Sequence, residues 1–157
     1  MSNLKCTERL NILLEENFLI ARMYKRISET TKDEDISRIF GDAAILRHQF
    51  IHEITEEIRL LGGTAGMDGS HSRLRNIRRT TAEENVFQLI KKCVKANKEN
   101  LKGYCKAISQ VNNGFVREIL LRHKSLIENG ISELKYLKIN ILPENLNRES
   151  IQDNLKI

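Results

Sequence analysis

The sequence predicts an all-α fold, four long helices packed as an antiparallel bundle, and three observations carry that reading. Apolar residues recur at three- and four-residue steps through four long stretches, the period of a helix face rather than of a strand. The single proline, Pro143, lies beyond the last of these stretches, so nothing earlier need break a helix. Of eight glycines, four fall between Gly62 and Gly69. They mark one long connection, whereas a β-rich fold would need turn residues at regular short intervals.

The chain has 157 residues, 40% of them apolar, enough for one core shared by four amphipathic faces. The first helix spans about Thr7 to Glu29, with Leu10, Leu13, Leu14, Ala21, Tyr24 and Ile27 on its face. A polar turn follows over residues 30–35. The second helix runs from about Glu34 to Leu61 through Ile36, Phe40, Ala43, Phe50, Ile54 and Ile58. Gly62-Gly63 stops it, since glycine accepts the left-handed conformation just past a helix end.

After the break over residues 62–80, Thr80 or Thr81 is placed to cap the third helix, with Glu83 or Glu84 three residues on in capping-box spacing. Its seam is Val86, Ile90, Cys93, Asn97, Leu101, Tyr104, Ile108 and Val111. Asn112-Asn113-Gly114 makes a tight turn. The fourth helix covers about Phe115 to Lys138, with Val116, Ile119, His123, Leu126, Gly130, Leu134 and Leu137 on its seam. The bundle domain is thus residues 1–138. Residues 139–157 form a polar tail, a short helix or a flexible end, with Leu146, Ile151 and Leu155 as its apolar contacts.

Two short connections enclose a long crossover between the second and third helices, which is the connectivity of ferritin-like bundles. The hairpins also echo each other. Asn17 precedes Tyr24 by seven residues, and Asn97 precedes Tyr104 by seven, each pair near a seam.

The run from Leu10 and Asn11 to Glu15, then Tyr24, Phe50 with Glu53, Leu61-Gly62-Gly63, Cys93 and Tyr104, resembles the DUF2383 (PA2169-type) family of ferritin-like bundles, uncharacterised relatives of bacterial stress proteins. The resemblance covers about Leu4 to Lys138 and implies the ferritin-like fold and a stress-linked role. The chain departs from that pattern where the family carries acids. Arg22-Met23 precede the first tyrosine, and the stretch after Cys93 has no acid until Glu99.

A di-iron bundle needs a glutamate from each of two helices and Glu-x-x-His from the other two, so that the ligands share one helix face. No glutamate here has a histidine three residues later. Asp68-x-x-His71 has the spacing but lies in the glycine-rich connection. His48 and His52, four apart with Glu56 continuing the face, are the remaining metal candidates, of a kind that holds zinc or nickel. The bland alternative outweighs it: both histidines flank a seam that Phe50 and Ile54 own.

Four polar residues interrupt the seams: Asn17, Arg47, Asn97 and His123. Counting from the first turn, Asn17 lies level with Arg47, within reach of its fork of donors. They read either as a small polar pocket able to hold an anion or, the weightier alternative, as groups that fix helix register.

In the crossover, Arg73, Arg75, Arg78 and Arg79 form the densest basic stretch, an anion-binding candidate. It has no interleaved aromatics and no nucleic-acid motif, so a solvated or salt-bridged connection outweighs nucleic-acid binding. The net charge of +5 is spread widely. There is no Gly-x-Ser-x-Gly and no phosphate-binding glycine loop, so no catalytic residue is assigned.

Cys6, Cys93 and Cys105 are read as buried reduced thiols; the last two lie roughly 18 Å apart by helical rise, too far to bridge. No apolar run approaches the ~20 residues of a membrane span, and a cytoplasmic location is expected. Phe18, Ile20, Ile45 and Leu89 lie beside the seams and exceed what one core needs, which predicts a homodimer. The sequence therefore points to a non-enzymatic ferritin-like bundle without cofactor or intact di-iron site, acting through self-association or a partner. A bundle with an altered metal site is the alternative, followed by an anion or nucleic-acid binder.

Overall fold

A computed structural model describes residues 3–66 and 84–141. Four helices, α1 (Asn3–Thr30), α2 (Glu34–Leu60), α3 (Val86–Gln110) and α4 (Gly114–Tyr136), follow in order, and α4 runs directly into a π-helical turn, Leu137–Ile141. The described residues contain no strand. This is a ferritin-like bundle built of two hairpins, α1–α2 and α3–α4.

Local chemistry sets the ends of each element. The Asp33 carboxylate accepts from the backbone N–H groups of Asp35 (2.9 Å) and Ile36 (3.1 Å), which otherwise have no partner in the first turn. Asn113 does the same for α4 through Phe115 and Val116. At the end of α2, Gly62 adopts φ +81° and donates to Arg59, while Gly63 donates to Ile58, the paired bonds of a Schellman motif. Gly63 also lies against Thr7, where a Cβ would overlap the threonine side chain.

Several boundaries and faces differ from the sequence expectation. The cap of α3 is Asn85 rather than Thr80 or Thr81. Its side chain accepts from the Gln88 N–H, and the Gln88 side chain accepts from the Asn85 N–H, a complete capping box. Helix α1 begins at Asn3, ahead of Thr7. On α4 the buried stripe is Val116, Leu120, His123, Ile127, Ile131 and Leu134, with Ile119, Leu126 and Gly130 off its centre line. Ile20 and Leu89 are core residues, not surplus surface, because α1 is covered by both α2 and α3. Phe18 is half-buried and Ile45 is exposed. Cys6 and Cys93 are buried, but Cys105 faces solvent.

The apolar core comes in two parts. One holds Leu10, Leu13, Leu14, Phe50, Ile54, Tyr104 and Leu120; the other holds Ile20, Tyr24, Ile27, Phe40, Ile90 and Cys93. Along α1, α2 and α3 the boundary between them falls at Asn17, Arg47 and Asn97 with Asn100. A polar layer thus crosses the middle of the bundle. Helices α2 and α4 pack on each other far less extensively than the helices within either hairpin do.

Candidate functional site

The polar layer is built from helix surfaces that turn amides inward. Asn17 donates from Nδ2 to the Leu13 carbonyl one turn earlier (2.9 Å), and Asn97 does so to Cys93 (2.8 Å). Each Oδ1 is left to accept from a partner in the interior. Arg47 reaches in from α2 to meet them. Its Nη1 donates to Asn17 Oδ1 (2.6 Å) and Asn100 Oδ1 (2.6 Å), and its Nη2 to Asn97 Oδ1 (2.5 Å). The residue is 3% exposed, and its guanidinium carbon lies 5.6 Å from the centroid of the Phe50 ring, a cation–π distance.

The two Asn–Tyr heptads bond across to each other. Asn17 Nδ2 donates to the Tyr104 hydroxyl (2.8 Å), and the Tyr24 hydroxyl donates to Asn97 Oδ1 (3.0 Å). One shift in sequence carries Asn17 onto Asn97 and Tyr24 onto Tyr104, and the same shift carries the end of α1 onto the end of α3. The network then runs outward. Tyr104 Oη lies 2.9 Å from His123 Nδ1, and His123 Nε2 lies 3.4 Å from Glu53 Oε1. Glu53 is ion-paired with Arg122 at the surface. A fully buried Glu16 accepts from Asn100 Nδ2 (3.0 Å) and sits against Gly103, where a Cβ would come within 2.9 Å of its Oε1.

Burial fixes the protonation states. Desolvation pulls the His123 imidazole down to about 4 against the attraction of Glu53, so the ring is neutral near pH 7. One tautomer satisfies all its neighbours: Tyr104 donates to Nδ1, and Nε2–H donates to Glu53. Burial raises the Tyr24 and Tyr104 phenols, with the Arg47 charge opposing it, and both stay protonated. Burial would raise Glu53 as well, but the hydrogen bond and charge of Arg122, with the hydrogen bond from His123, outweigh it and hold this carboxyl below its ordinary value. Burial lifts the Cys93 thiol to about 12, which makes it a packing group rather than a nucleophile.

These residues do not fit a metal pair. Beside the polar layer the i, i+3 pairs are Arg47-x-x-Phe50 on α2 and Ile127-x-x-Gly130 on α4, and neither offers the carboxylate and imidazole of a Glu-x-x-His pair. The oxygens that meet Arg47 belong to amides, the phenols beside them stay protonated, and the layer holds a single fully buried carboxylate, Glu16, bonded to Asn100. A cation entering beside Arg47 would meet its charge, about 4 kcal/mol for each unit charge at 4 Å in a protein interior of moderate polarity.

The structure brings Asn17, Arg47, Asn97 and His123 into one network and adds Glu16, Tyr24, Glu53, Asn100 and Tyr104 to it. The heptad echo signals the tyrosines. Nothing local signals Glu16 or Asn100, whose burial depends on how closely α1 and α3 approach. His48 and His52 are exposed on α2, and Glu56 accepts from Arg59 (2.6 Å). Among the described residues, no three His, Cys, Asp or Glu side chains gather as a metal-holding group. Arg73, Arg75, Arg78 and Arg79, with Asp68 and His71, lie outside the described residues.

The fold is that of a ferritin-like four-helix bundle. Among solved structures it is similar to the bacterioferritin-related protein of Bacteroides fragilis, described as a dodecameric thioferritin, with a TM-score of 0.81. The match covers 94% of this chain and 92% of that one at 15% sequence identity, a likeness of fold. No family profile and no curated protein matches the chain in sequence.

Proposed function

We propose that this protein is a ferritin-like bundle that works by binding and self-association rather than by redox chemistry, with Arg47 standing where a metal pair would supply positive charge. The observation that carries this reading is the guanidinium held by three amide oxygens at 2.5–2.6 Å. Exposed Leu4, Ile45, Leu60, Phe115 and Ile139 offer apolar surface for contacts between copies, with a homodimer as the smallest unit. The dodecameric assembly of the similar thioferritin supports self-association. A cytoplasmic, stress-linked role of the DUF2383 kind belongs to the same reading; no described helix is long and apolar enough to cross a membrane.

Protein purified without chelators should carry only trace metal and should oxidise added ferrous iron no faster than buffer does. Light scattering at high concentration should give the mass of a dimer or larger. Stoichiometric iron that survives gel filtration would overturn the first half of the proposal, and a monomer would overturn the second. Bound metal lost in His48→Ala/His52→Ala would move the metal to the surface of α2.

A further inference from the structure

Where α2 and α4 pack loosely, a cavity of about 400 Å³ opens between them, within the range of small-molecule sites. Its walls are apolar: Phe40, Leu46, Phe50, Leu126, Ile127 and Leu134. Its polar inner end is the edge of the central layer, formed by Arg47, Tyr24 and Asn97. Exposed Asp42, Asn129 and Glu133 also line it.

The repeat shows where the space comes from. The shift that carries Asn17 onto Asn97 carries Phe50 onto Gly130. Phe50 fills its side of the bundle and stacks on His123, with ring centroids 3.9 Å apart and planes at 14°. Gly130 lines the cavity, and a Cβ built on it meets nothing within 4 Å. A glycine inside a helix weakens it, so this one leaves room at a cost in helix stability.

The polar end supplies the charge selection. Three amide oxygens accept from Arg47, and one of these amides, Asn100, donates in turn to Glu16. A guanidinium carries five N–H donors; these acceptors take three, and the Tyr24 hydroxyl also hydrogen-bonds to it. The acids among the lining residues are exposed, where water screens them, whereas the charge of Arg47 acts in a drier interior. From the apolar walls, the buried cation and the space at Gly130, we infer that this cavity binds a single-chain aliphatic carboxylate, its head at Arg47 and its chain along Leu46, Leu126 and Leu134. The inference stands apart from the question of metal in the core.

The test is isothermal titration calorimetry of the full chain with dodecanoate, dodecanol and dodecylammonium, each below its aggregation concentration. Dodecanoate should bind one per chain. Dodecanol should bind at least about tenfold more weakly, the factor expected for losing a charge-assisted hydrogen bond. Gly130→Leu fills the cavity without touching the polar layer and should fold, with a raised Tm and no dodecanoate binding. Arg47→Gln, if it folds, should bind dodecanoate and dodecanol alike. The inference is overturned if dodecanoate does not bind, if the alcohol or the amine binds as tightly, or if Gly130→Leu retains binding. Failure of Arg47→Gln to fold leaves the decision to Gly130→Leu and the choice of head group.

Discussion

The α1–α2 hairpin and the α3–α4 hairpin carry the same Asn–Tyr heptad at matching places, yet they put different groups into the interior from their second helices. Arg47 and Phe50 on α2 correspond to Ile127 and Gly130 on α4, and Ala43 corresponds to His123. The first hairpin supplies a cation and a ring that fills space. The second supplies a neutral imidazole and a gap. The shared part, two asparagines bonded to each other's tyrosines, holds the halves in register, and the unshared part supplies the buried guanidinium and the cavity beside it. A symmetric scaffold has been made chemically one-sided by a few residues.

The charge is where this asymmetry should cost most. Arg47→Met keeps the bulk of the side chain but takes the donor from the buried Asn17 and Asn100 oxygens, while Asn97 keeps the Tyr24 hydroxyl. We expect a loss of about 3–5 kcal/mol in urea denaturation, the range for breaking a buried charged network from one side. Ile127→Val at the matching position should cost only about 0.5–1.5 kcal/mol. Equal losses at the two sites would mean that Arg47 packs but does not organise the layer.

His123 has no titratable counterpart in the first hairpin, so its side of the network should respond to pH. Its folded pKa of about 4 lies below the ordinary value near 6.5. Between these values the unfolded chain binds more protons than the folded one, so stability present above pH 6.5 is lost as pH falls toward 4. The contribution reaches up to about 3 kcal/mol. Glu53, also depressed, adds a loss in the same direction at lower pH, as its folded state resists protonation. Urea midpoints measured from about pH 4 to 7 should fall with acid, and His123→Gln should flatten that slope. An unchanged slope in the variant would remove His123 as its source.

The two tyrosines separate the halves more finely. The Tyr104 hydroxyl joins Asn17 to His123, so Tyr104→Phe should cost about 1–3 kcal/mol. The Tyr24 hydroxyl donates to an Asn97 oxygen that Arg47 also serves, so Tyr24→Phe should cost about 0.5–1.5 kcal/mol. Thermal or urea unfolding of the two variants side by side decides it, and a larger effect at Tyr24 would reverse the ranking.

Much of this is legible in the residues. The periodicity of α1 places Leu10, Leu13, Tyr24 and Ile27 inside, and all four are buried. The level of Asn17 against Arg47 follows from counting back from a tight turn, and the bond is there at 2.6 Å. What escapes is whatever depends on how helices distant in sequence sit against each other. Glu16 looks like a surface acid beside a seam, but it is buried because Gly103 lets α1 come close to α3. Cys105 sits next to the core tyrosine and still faces solvent, since one residue on a helix turns the side chain by about 100°. The α3 cap is hidden because a threonine with a glutamate three residues later has the same spacing as the Asn85–Gln88 box that forms. The cavity is invisible locally, for Gly130 reads as one more seam residue until its open side is seen.

Gly103 and Gly130 give the smallest and most discriminating pair, because both interrupt helices of the second hairpin for opposite reasons. Replacing a helix glycine by alanine gains about 1 kcal/mol when nothing else changes. At Gly130 a Cβ meets open space, so Gly130→Ala should realise that gain as a higher Tm. At Gly103 the new Cβ would lie 2.9 Å from Glu16 Oε1, so the fully buried carboxylate that accepts from the Asn100 amide must shift. Weakening that buried bond offsets the gain in propensity, and Gly103→Ala should lower stability by about 1 kcal/mol. If both variants are stabilised, the approach of Glu16 to α3 is looser than these distances require. The amide bridge from Glu16 to Arg47 would then be the least organised arm of the polar layer.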